Sequence, residues 1–194
     1  MDIILLDHYD SFSANIQDWL EKVGFNVDVF AYDHPVIKTM ALDRPIVIGP
    51  GPKSPKDAAQ SVELCLRAQG KVSLLGICLG HQILAHIAGL SITKCESPHH
   101  GSTRTITPNP NSILLNGITR NFKAATYNSL HAAGNLPPNW IISAVNEFGD
   151  IEGIESHLES GIFGLQFHPE SFLSEFSYEI GRNWWRFLKS REGI

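Results

Sequence analysis

Short apolar runs alternate along residues 2–89 with segments whose apolar residues recur every three or four positions. We predict strands at 2–6, 27–30, 45–49 and 72–77, and helices at 12–23, 57–69 and 79–89. A regular succession of strands and helices is typical of a parallel sheet with helices on both faces. This feature indicates a fold of the α/β class.

The second half of the chain has a different pattern, with short strand candidates separated by Gly, Pro and Asn turns. We expect antiparallel strands along one side of the sheet, at 91–95, 102–108, 123–128, 139–147, 151–156 and 161–167. Apolar residues at helical spacing predict a last helix over 173–189. Because the sequence has no internal repeat, low-complexity tract or linker, residues 1–194 are expected to form a single domain.

The composition is that of an ordinary soluble protein, with 43% hydrophobic and 18% charged residues. A formal net charge of -5 argues against nucleic acid or an anionic membrane as the main partner, because both attract basic surfaces. No apolar run is long enough to span a bilayer, and the N-terminus lacks the pattern of a signal peptide. Three cysteines without a CxxC motif favour free thiols in a reducing cytoplasm.

Cys78 lies between two glycines at the point where the strand over 72–77 is followed by a helix. A residue in such a tight turn projects its side chain beyond the edge of the sheet, while Gly76 and Gly80 avoid collisions that a Cβ would make. The following helix directs its N–H groups and positive dipole end to the same place, which favours a negatively charged sulfur. The N–H of Leu79 can also stabilise an oxyanion. Cys78 is therefore the predicted nucleophile.

Most free cysteines are small buried residues rather than nucleophiles. Cys65 lies in the middle of a predicted helix among apolar neighbours, and Cys95 lies at the end of a predicted strand. Both are expected to be structural, since only Cys78 has the turn that exposes a reactive side chain.

A thiol nucleophile needs a base, and the base needs a group that orients it. His168 follows the apolar segment 161–167, and Pro169 restricts the backbone between His168 and Glu170. Alternate residues of an extended segment point the same way, so the Glu170 carboxylate can hold the imidazole. Cys78, His168 and Glu170 form the predicted triad. The other histidines are expected to be packed, exposed or without a suitably placed acidic residue: His8, His34, His81, His86, His99, His100, His131 and His157.

Zinc binding is the rival use of these histidines, with His99, His100 and the H-x-E motif at 168–170 as possible ligands. The sequence has no H-x-x-x-H pair and no Cys/His cluster, so no metal site is predicted. We assign the H-x-E motif to base chemistry instead.

Several motifs together resemble the class I, or triad-type, glutamine amidotransferases. They are PGPKSP at 50–55, GICLGHQ at 76–82 and LQFHPES at 165–171. A further set is similar to one branch, the small subunits of anthranilate synthase and of aminodeoxychorismate (para-aminobenzoate) synthase: ILLDHYDSF at 4–12, HHGST at 99–103 and YNSLH at 127–131. The similarity extends from residue 3 to about residue 175. It implies a flavodoxin-like, mostly parallel central sheet with helices on both faces.

The resemblance implies a catalytic role for each residue of the triad. Cys78 would attack the side-chain amide of glutamine, His168 would act as base and then as acid, and Glu170 would hold His168. The N–H groups of Gly51 and Leu79 would form the oxyanion hole. An amide is a poor electrophile, so a covalent glutamyl thioester divides its hydrolysis into two steps. That hydrolysis would need no cofactor.

The resemblance also implies how glutamine is bound and where its nitrogen goes. Gln82 and the backbone of Ser129 and Leu130 would bind the amino-acid end of glutamine, and Pro52 and Lys53 would border the pocket. Ammonia would pass to a separate chorismate-binding synthase subunit, component I, in folate or tryptophan synthesis. The sequence does not distinguish anthranilate from aminodeoxychorismate as the product.

Four residues depart from the family motifs. Lys53 replaces a glycine of P-G-P-G, His8 an asparagine of D-N-Y-D-S-F, Asn128 a histidine of Y-H-S-L, and Ser102 a lysine of H-G-K-T. Lysine would strain the oxyanion loop if that position has a positive φ. The changes leave two interpretations open, a diverged standalone paralogue or drift at surface loops.

Other functions also remain open. The chain could be the glutaminase of a nucleotide or carbamoyl-phosphate pathway, a γ-glutamyl hydrolase without an ammonia acceptor, or a non-catalytic regulatory module that retains the pocket. The intact predicted triad counts against the regulatory module.

Overall fold

A computed structural model of the chain describes residues 1–52, 54–95, 102–156 and 160–191. Eleven strands and four α-helices lie in these ranges. The helices are α1 (Ser13–Val23), α2 (Ala59–Ala68), α3 (Leu79–Ile87) and α4 (Ser177–Arg191). The strands are β1 (Asp2–Asp7), β2 (Asn26–Ala31), β3 (Ile46–Ile48), β4 (Leu74–Ile77), β5 (Ser91–Lys94), β6 (Ser102–Pro108), β7 (Phe122–Thr126), β8 (Leu130–Ala133), β9 (Trp140–Asn146), β10 (Ile151–Ser156) and β11 (Ile162–Leu165). No helix within the described ranges has the length and apolar character needed to cross a membrane.

The strands form one mixed sheet in the order β2-β1-β3-β4-β11-β10-β9-β6-β7, while β8 pairs with β5 and β10 beside this path. The five strands from β2 to β11 are parallel. All pairs beyond β11 are antiparallel. The predicted α/β class is confirmed, as are the parallel sheet and the antiparallel strands along one side of it.

Helices cover both faces of the parallel part of the sheet. On β1, Ile3 and Leu5 pack in one cluster with α1 and α4, whereas Ile4 and Leu6 pack in a second cluster with α2 and α3. All four side chains are at most 1% exposed. A strand that is buried on both faces has a continuous apolar sequence, which explains why the first strands lack alternation.

β8 is the strand that the sequence pattern did not predict. Its sequence, LHAA, has no β-branched residue and no alternation of polar and apolar residues. It is a strand because it pairs along its length with β5 and at one position with β10. Tertiary pairing therefore overrides weak local preference at this position.

Two predicted helices begin later than expected. The helix predicted over 57–69 begins only at Ala59, because its first residue, Asp57, is the end of a short 3₁₀ turn at Pro55–Asp57. The helix predicted over 173–189 begins at Ser177, because Phe176 has a positive φ of 59°. The backbone N–H of Glu175 instead donates to the carbonyl of Lys123 in β7.

α3 lies unusually close to β3 and β4. A Cβ on Gly80 would overlap the backbone oxygen of Ile48, and a Cβ on Gly76 would overlap the backbone of Gly80. Only glycine allows this approach at either position. The two glycines thereby set the sharp turn between β4 and α3, where Cys78 lies.

α4 joins the starts of β4 and β11. The indole N–H of the fully buried Trp184 donates to the hydroxyl of Ser73 over 3.2 Å. The same hydroxyl donates to the carbonyl of Gly161 over 3.1 Å. α4 is therefore linked through the Ser73 hydroxyl to the residues that precede both strands.

We predict that Gly80→Ala lowers the free energy of unfolding by about 3 kcal/mol, because the added methyl group must push α3 away from β3. Urea unfolding monitored by circular dichroism measures the change. The control is His86→Ala on the exposed side of α3, which should stay within about 0.5 kcal/mol of the wild type. A Gly80→Ala variant as stable as the wild type would contradict the proposed close packing.

Candidate active site

Cys78 has a strained backbone conformation at the end of β4. Its φ of 54° and ψ of -103° lie in a region that residues with a side chain rarely adopt. Such strain costs on the order of 1–3 kcal/mol and persists only where the surrounding structure enforces it. Here the Cys78 N–H donates to the carbonyl of Leu165, and its carbonyl accepts from the N–H of Gln82. This is the geometry of a nucleophile elbow, with sulfur in place of the usual oxygen.

His168 and Glu170 form a close buried pair. Nδ1 of His168 lies 2.6 Å from Oε1 of Glu170, and their side chains are 2% and 0% exposed. The backbone of His168 is held by β7, because its N–H donates to the carbonyl of Ala125 over 2.9 Å. The Ser174 hydroxyl donates to the His168 carbonyl over 2.6 Å. The backbone that carries the imidazole is therefore held in place, and Nδ1 is already paired with Glu170.

The Cys78 side chain acts on the same imidazole. Nε2 of His168 is buried and no described atom meets hydrogen-bond geometry with it, yet the thiol is close enough to interact with the ring electrostatically. Burial lowers the pKa of His168, but the interactions with Cys78 and with Glu170 raise it, to about 10 in sum. The site therefore favours a protonated imidazole beside the sulfur at neutral pH.

A pocket of about 400 Å³ opens in front of Cys78. Six other residues of its described lining were predicted for the site: Gly51, Pro52, Leu79, Gln82, Ser129 and Leu130. Four further lining residues were not predicted: Ser54, Asp57, Tyr127 and Asn128. Lys53 lies outside the described residues. The structure thus brings the predicted nucleophile and the predicted binding residues to one cavity, with His168 interacting with Cys78.

The loop after β3 lies against the start of α3. A Cβ on Gly51 would lie 2.7 Å from the Leu79 Cδ2 atom and 2.7 Å from the His8 Cβ atom, so only glycine fits between them. The N–H of Leu79 begins a helix and has no acceptor within that helix. The two residues predicted to form the oxyanion hole are therefore neighbours at the pocket wall.

Gln82 is fixed by its own amide nitrogen. Nε2 of Gln82 donates to the carbonyl of Leu130 and to Oε1 of Gln166, each over 3.1 Å. The carbonyl of Ser129 accepts from the N–H of Cys95 over 2.9 Å. The carbonyls of Ser129 and Leu130 thus have partners within the protein, and the amide oxygen is the part of Gln82 that these bonds do not use.

The residues that the sequence interpretation missed fall into two groups. Ser54 and Asp57 form the capping pattern S-P-K-D, in which the N–H and hydroxyl of Ser54 donate to Oδ2 of Asp57. A serine followed three residues later by an acidic residue is typical of a capping box, so the sequence could have indicated this local structure. Tyr127 and Asn128 begin the YNSLH motif, which was used only for resemblance and not for its chemistry.

Surface drift is the wrong interpretation for His8. The residue is only 4% exposed, its Nε2 lies 2.8 Å from the Ser61 hydroxyl, and its ring stacks on Tyr32 with centroids 4.9 Å apart. Asn128 is half-buried and lines the pocket, and Ser102 is a half-buried residue at the start of β6. The departures that the structure describes are therefore not confined to exposed loops.

The histidines outside the predicted triad have varied surroundings. His81 is fully buried, and burial lowers its pKa to about 4. His34 and His86 are exposed, whereas His99, His100 and His157 lie outside the described residues. The prediction that His131 lacks an acidic neighbour is wrong, because its Nδ1 lies 3.1 Å from Oδ1 of Asp150.

Glu152 lines a small polar cavity together with His131 and Asp150, and Asn128 lines both this cavity and the main pocket. The residue is 3% exposed, and burial raises the pKa of its carboxyl to about 8, against the opposing hydrogen bond from Asn146. Nearby Asp150 also raises this pKa. Among the described residues, no group of three or more His, Cys, Asp or Glu side chains has an arrangement that could hold a metal ion.

The family model described as glutamine amidotransferase class-I matches residues 4–186. The chain belongs to this family. Among related amidotransferase sequences, the "Aminodeoxychorismate/anthranilate synthase component 2" of Bacillus subtilis is 34% identical over 184 residues, which cover 93% of this chain and 94% of that protein. The "Bifunctional protein TrpGD" of Thermotoga maritima is 36% identical over 186 residues. That match covers 93% of this chain but only 31% of the longer protein.

Solved structures support the amidotransferase fold independently. A Thermoplasma acidophilum protein described as part of a GMP synthase superposes with a TM-score of 0.85 and 19% sequence identity. The superposition covers 100% of this chain and 96% of that one. At this identity the likeness concerns the fold alone.

We predict that iodoacetamide at neutral pH alkylates Cys78 well before the other two cysteines. Burial raises the pKa of Cys65 to about 12, and burial also raises the pKa of Cys95, so both remain thiols. Peptide mass spectrometry after brief labelling identifies the modified residue. Glu170→Gln should slow the labelling of Cys78, because a neutral amide holds the imidazolium less well. Preferential labelling of Cys65 or Cys95 would exclude the predicted nucleophile.

We predict that Glu152→Gln changes how stability depends on pH. An acid whose pKa rises from 4.5 in the unfolded chain to about 8 in the folded protein costs stability increasingly as pH rises between these values. The wild type should therefore lose stability relative to Glu152→Gln between pH 5 and pH 8, as measured by urea unfolding. Glu63→Gln, on the exposed side of α2, is the matched control and should follow the wild type. Parallel curves for wild type and Glu152→Gln would contradict the burial effect.

Proposed function

We propose that this chain is the glutaminase subunit of a chorismate-aminating synthase, with residues 1–194 as a single amidotransferase domain. Cys78, His168 and Glu170 are its catalytic triad. The observation that chiefly supports this proposal is the strained Cys78 at the mouth of a pocket, beside an imidazole already paired with a buried carboxylate. Family membership supports the pathway, as does a relative of nearly the same length that is named as component 2 of aminodeoxychorismate/anthranilate synthase.

Glutamine fits the pocket in size and chemistry. A cavity of about 400 Å³ lies within the range of small-molecule sites. The amide oxygen of Gln82 accepts from the ammonium group of the substrate, and backbone N–H groups of Ser129 and Leu130 bind its carboxylate. Gly51 and Pro52, which line the same cavity, border the side chain of the substrate. These contacts place the amide carbon next to Cys78, which lies at the pocket wall.

In the first step the Cys78 sulfur attacks the side-chain amide carbon of glutamine. Its proton passes to Nε2 of His168, whose pKa the interactions with Cys78 and Glu170 raise to about 10 against the effect of burial. The N–H groups of Gly51 and Leu79 stabilise the negative oxygen of the tetrahedral intermediate, and each such donor typically lowers the barrier by about 3 kcal/mol. His168 then protonates the leaving nitrogen, the C–N bond breaks, and ammonia departs from a glutamyl thioester.

In the second step water hydrolyses the thioester. Neutral His168 takes a proton from the attacking water, the C–S bond breaks, and glutamate leaves with the sulfur again paired to an imidazolium. Glu170 keeps Nδ1 occupied throughout, over 2.6 Å, so that Nε2 is the nitrogen that exchanges protons. No cofactor takes part in either step.

The ammonia must reach its acceptor without protonation, because the ammonium ion is not a nucleophile. A chorismate-binding component I that docks over the pocket keeps the ammonia away from bulk water. Its product is anthranilate or aminodeoxychorismate, and the Bacillus subtilis relative is named for both. The chain thus acts on glutamine alone, and the partner determines the product.

We predict that Cys78→Ala abolishes glutamine-dependent amination of chorismate, by about 10⁴-fold or more, because the acyl intermediate cannot form. The synthase subunit that co-purifies with this chain is supplied in the assay, and the aminated product is measured by fluorescence. Ammonium chloride in place of glutamine should restore the wild-type rate, since ammonia bypasses the amidotransferase. Cys95→Ala is the control and should keep glutamine-dependent activity, because its half-buried thiol is absent from the described lining of the glutamine pocket.

Equal loss of the glutamine- and ammonia-dependent rates in Cys78→Ala would place the chain elsewhere in the pathway. Glutamate release by the wild type without any amination of chorismate would favour a glutaminase of another pathway or a γ-glutamyl hydrolase. A wild type that binds glutamine and releases no glutamate would identify a regulatory module.

A further inference from the structure

The segment DHYDSF at 7–12 has no part in the chemistry described above, yet it reaches the predicted catalytic base. The ring of Phe12 lies 5.1 Å from the imidazole of His168, between ring centroids, at an angle of 53°. The ring of Tyr127 lies 4.9 Å from the same imidazole at 86°. Phe12 and Tyr127 also contact each other at 4.7 Å. The three rings form one mutual cluster.

We propose that Phe12 and Tyr127 are positioning residues, which clamp the His168 ring in the orientation where Nε2 faces Cys78. The proposal rests on the proposed function of His168 as the base. It assigns to Phe12, and to the loop that carries it, a role in rate rather than in glutamine binding.

The loop before α1 is built to hold Phe12 in place. Oδ1 of Asp7 accepts from the N–H of Asp10 and from the hydroxyl of Ser13. Oδ1 of Asp10 accepts from the N–H of Phe12 over 2.9 Å, which closes an Asx turn. Phe12 is also the N-cap residue of α1, and its carbonyl accepts from the N–H of Ile16. The ring therefore projects from a backbone that is fixed on both sides.

Tyr127 approaches the imidazole from the opposite half of the sheet. It follows β7, the strand whose Ala125 carbonyl accepts from the backbone N–H of His168. Its hydroxyl lies 3.5 Å from the Ser171 hydroxyl, within the segment that follows His168. Ser171 is 4% exposed. One strand thus positions both the base and one of the rings that contact it.

The triad needs this restraint because Glu170 alone does not fix the ring. One hydrogen bond at Nδ1 leaves the imidazole free to tilt about the line that joins the two groups, and a small tilt moves Nε2 away from the sulfur. Contacts with two rings at different angles remove that freedom. Among the described residues, the titratable groups that face the imidazole are Cys78, Glu170 and the phenol of Tyr127. The two aromatic rings add an attraction for the protonated form of the imidazole.

The two clamp residues differ in one useful respect. Tyr127 lines the glutamine pocket, whereas Phe12 is absent from its described lining. Loss of the Phe12 ring should therefore lower kcat while KM for glutamine stays constant. Loss of the Tyr127 ring should change both quantities.

The experiment compares Phe12→Leu with Phe12→Tyr, which keeps an aromatic ring. We expect Phe12→Leu to lower kcat for glutamine hydrolysis about tenfold, with KM within about twofold of the wild type. The rate of Cys78 alkylation by iodoacetamide is followed from pH 5 to pH 9. In Phe12→Leu the pH below which alkylation slows should rise by about half a unit, because the imidazolium beside the sulfur is less favoured. Phe12→Tyr should restore both quantities.

Tyr9→Leu is the matched control, since Tyr9 belongs to the same loop but is 64% exposed and contacts Tyr32 rather than His168. It should leave kcat and the alkylation profile unchanged. Thermal unfolding checks that each variant is folded, and Tyr127→Leu carries the same alkylation test if Phe12→Leu does not fold. A folded Phe12→Leu with the wild-type kcat and alkylation profile would overturn the clamp.

The alkylation measurement separates the two proposals, because it does not depend on glutamine. If the wild type releases no glutamate but Phe12→Leu still shifts the alkylation profile, the clamp stands and the proposed function falls. If glutamine hydrolysis is normal and Phe12→Leu changes neither measurement, the proposed function stands and the clamp falls.

Discussion

The approach of α3 to the strands beneath it is the constraint on which the rest of the site depends. Neither Gly76 nor Gly80 has space for a Cβ, and this contact forces the chain through a positive φ at Cys78. The same contact brings the start of α3 against the loop that contains Gly51. Backbone packing thus sets the positions of the proposed nucleophile and of the proposed oxyanion donors, before any side-chain hydrogen bond is considered.

The site lies where the parallel and antiparallel parts of the sheet meet. β4, which leads to Cys78, belongs to the parallel part, whereas the backbone of His168 is bonded to β7 in the antiparallel part. Ligands of parallel sheets bind beyond the carboxyl ends of the strands, and the pocket obeys that rule. The antiparallel strands add a second wall, from which Tyr127 and Asn128 reach the same cavity.

Sequence reasoning succeeded where local pattern and burial agree. The apolar runs of β1, β3 and β4 and the glycines around Cys78 carry their own physical meaning, so the sheet and the sharp turn were predictable. β8 was missed because pairing rather than composition makes LHAA a strand. The contact between His131 and Asp150 was missed because these residues belong to different elements whose proximity no spacing reveals. The contact of Phe12 with His168 was missed for the same reason, because the two residues lie far apart in the sequence.

The position of β11 has a consequence for how the protein is made. This strand, the last of those described, lies in the middle of the sheet, between β4 and β10, and His168 follows it closely. During translation Cys78 is therefore synthesised long before β11, the strand that completes the sheet. The Cys78 thiol is thus made well before the imidazole of His168, and the strand that joins the parallel and antiparallel parts of the sheet can pair only late in synthesis.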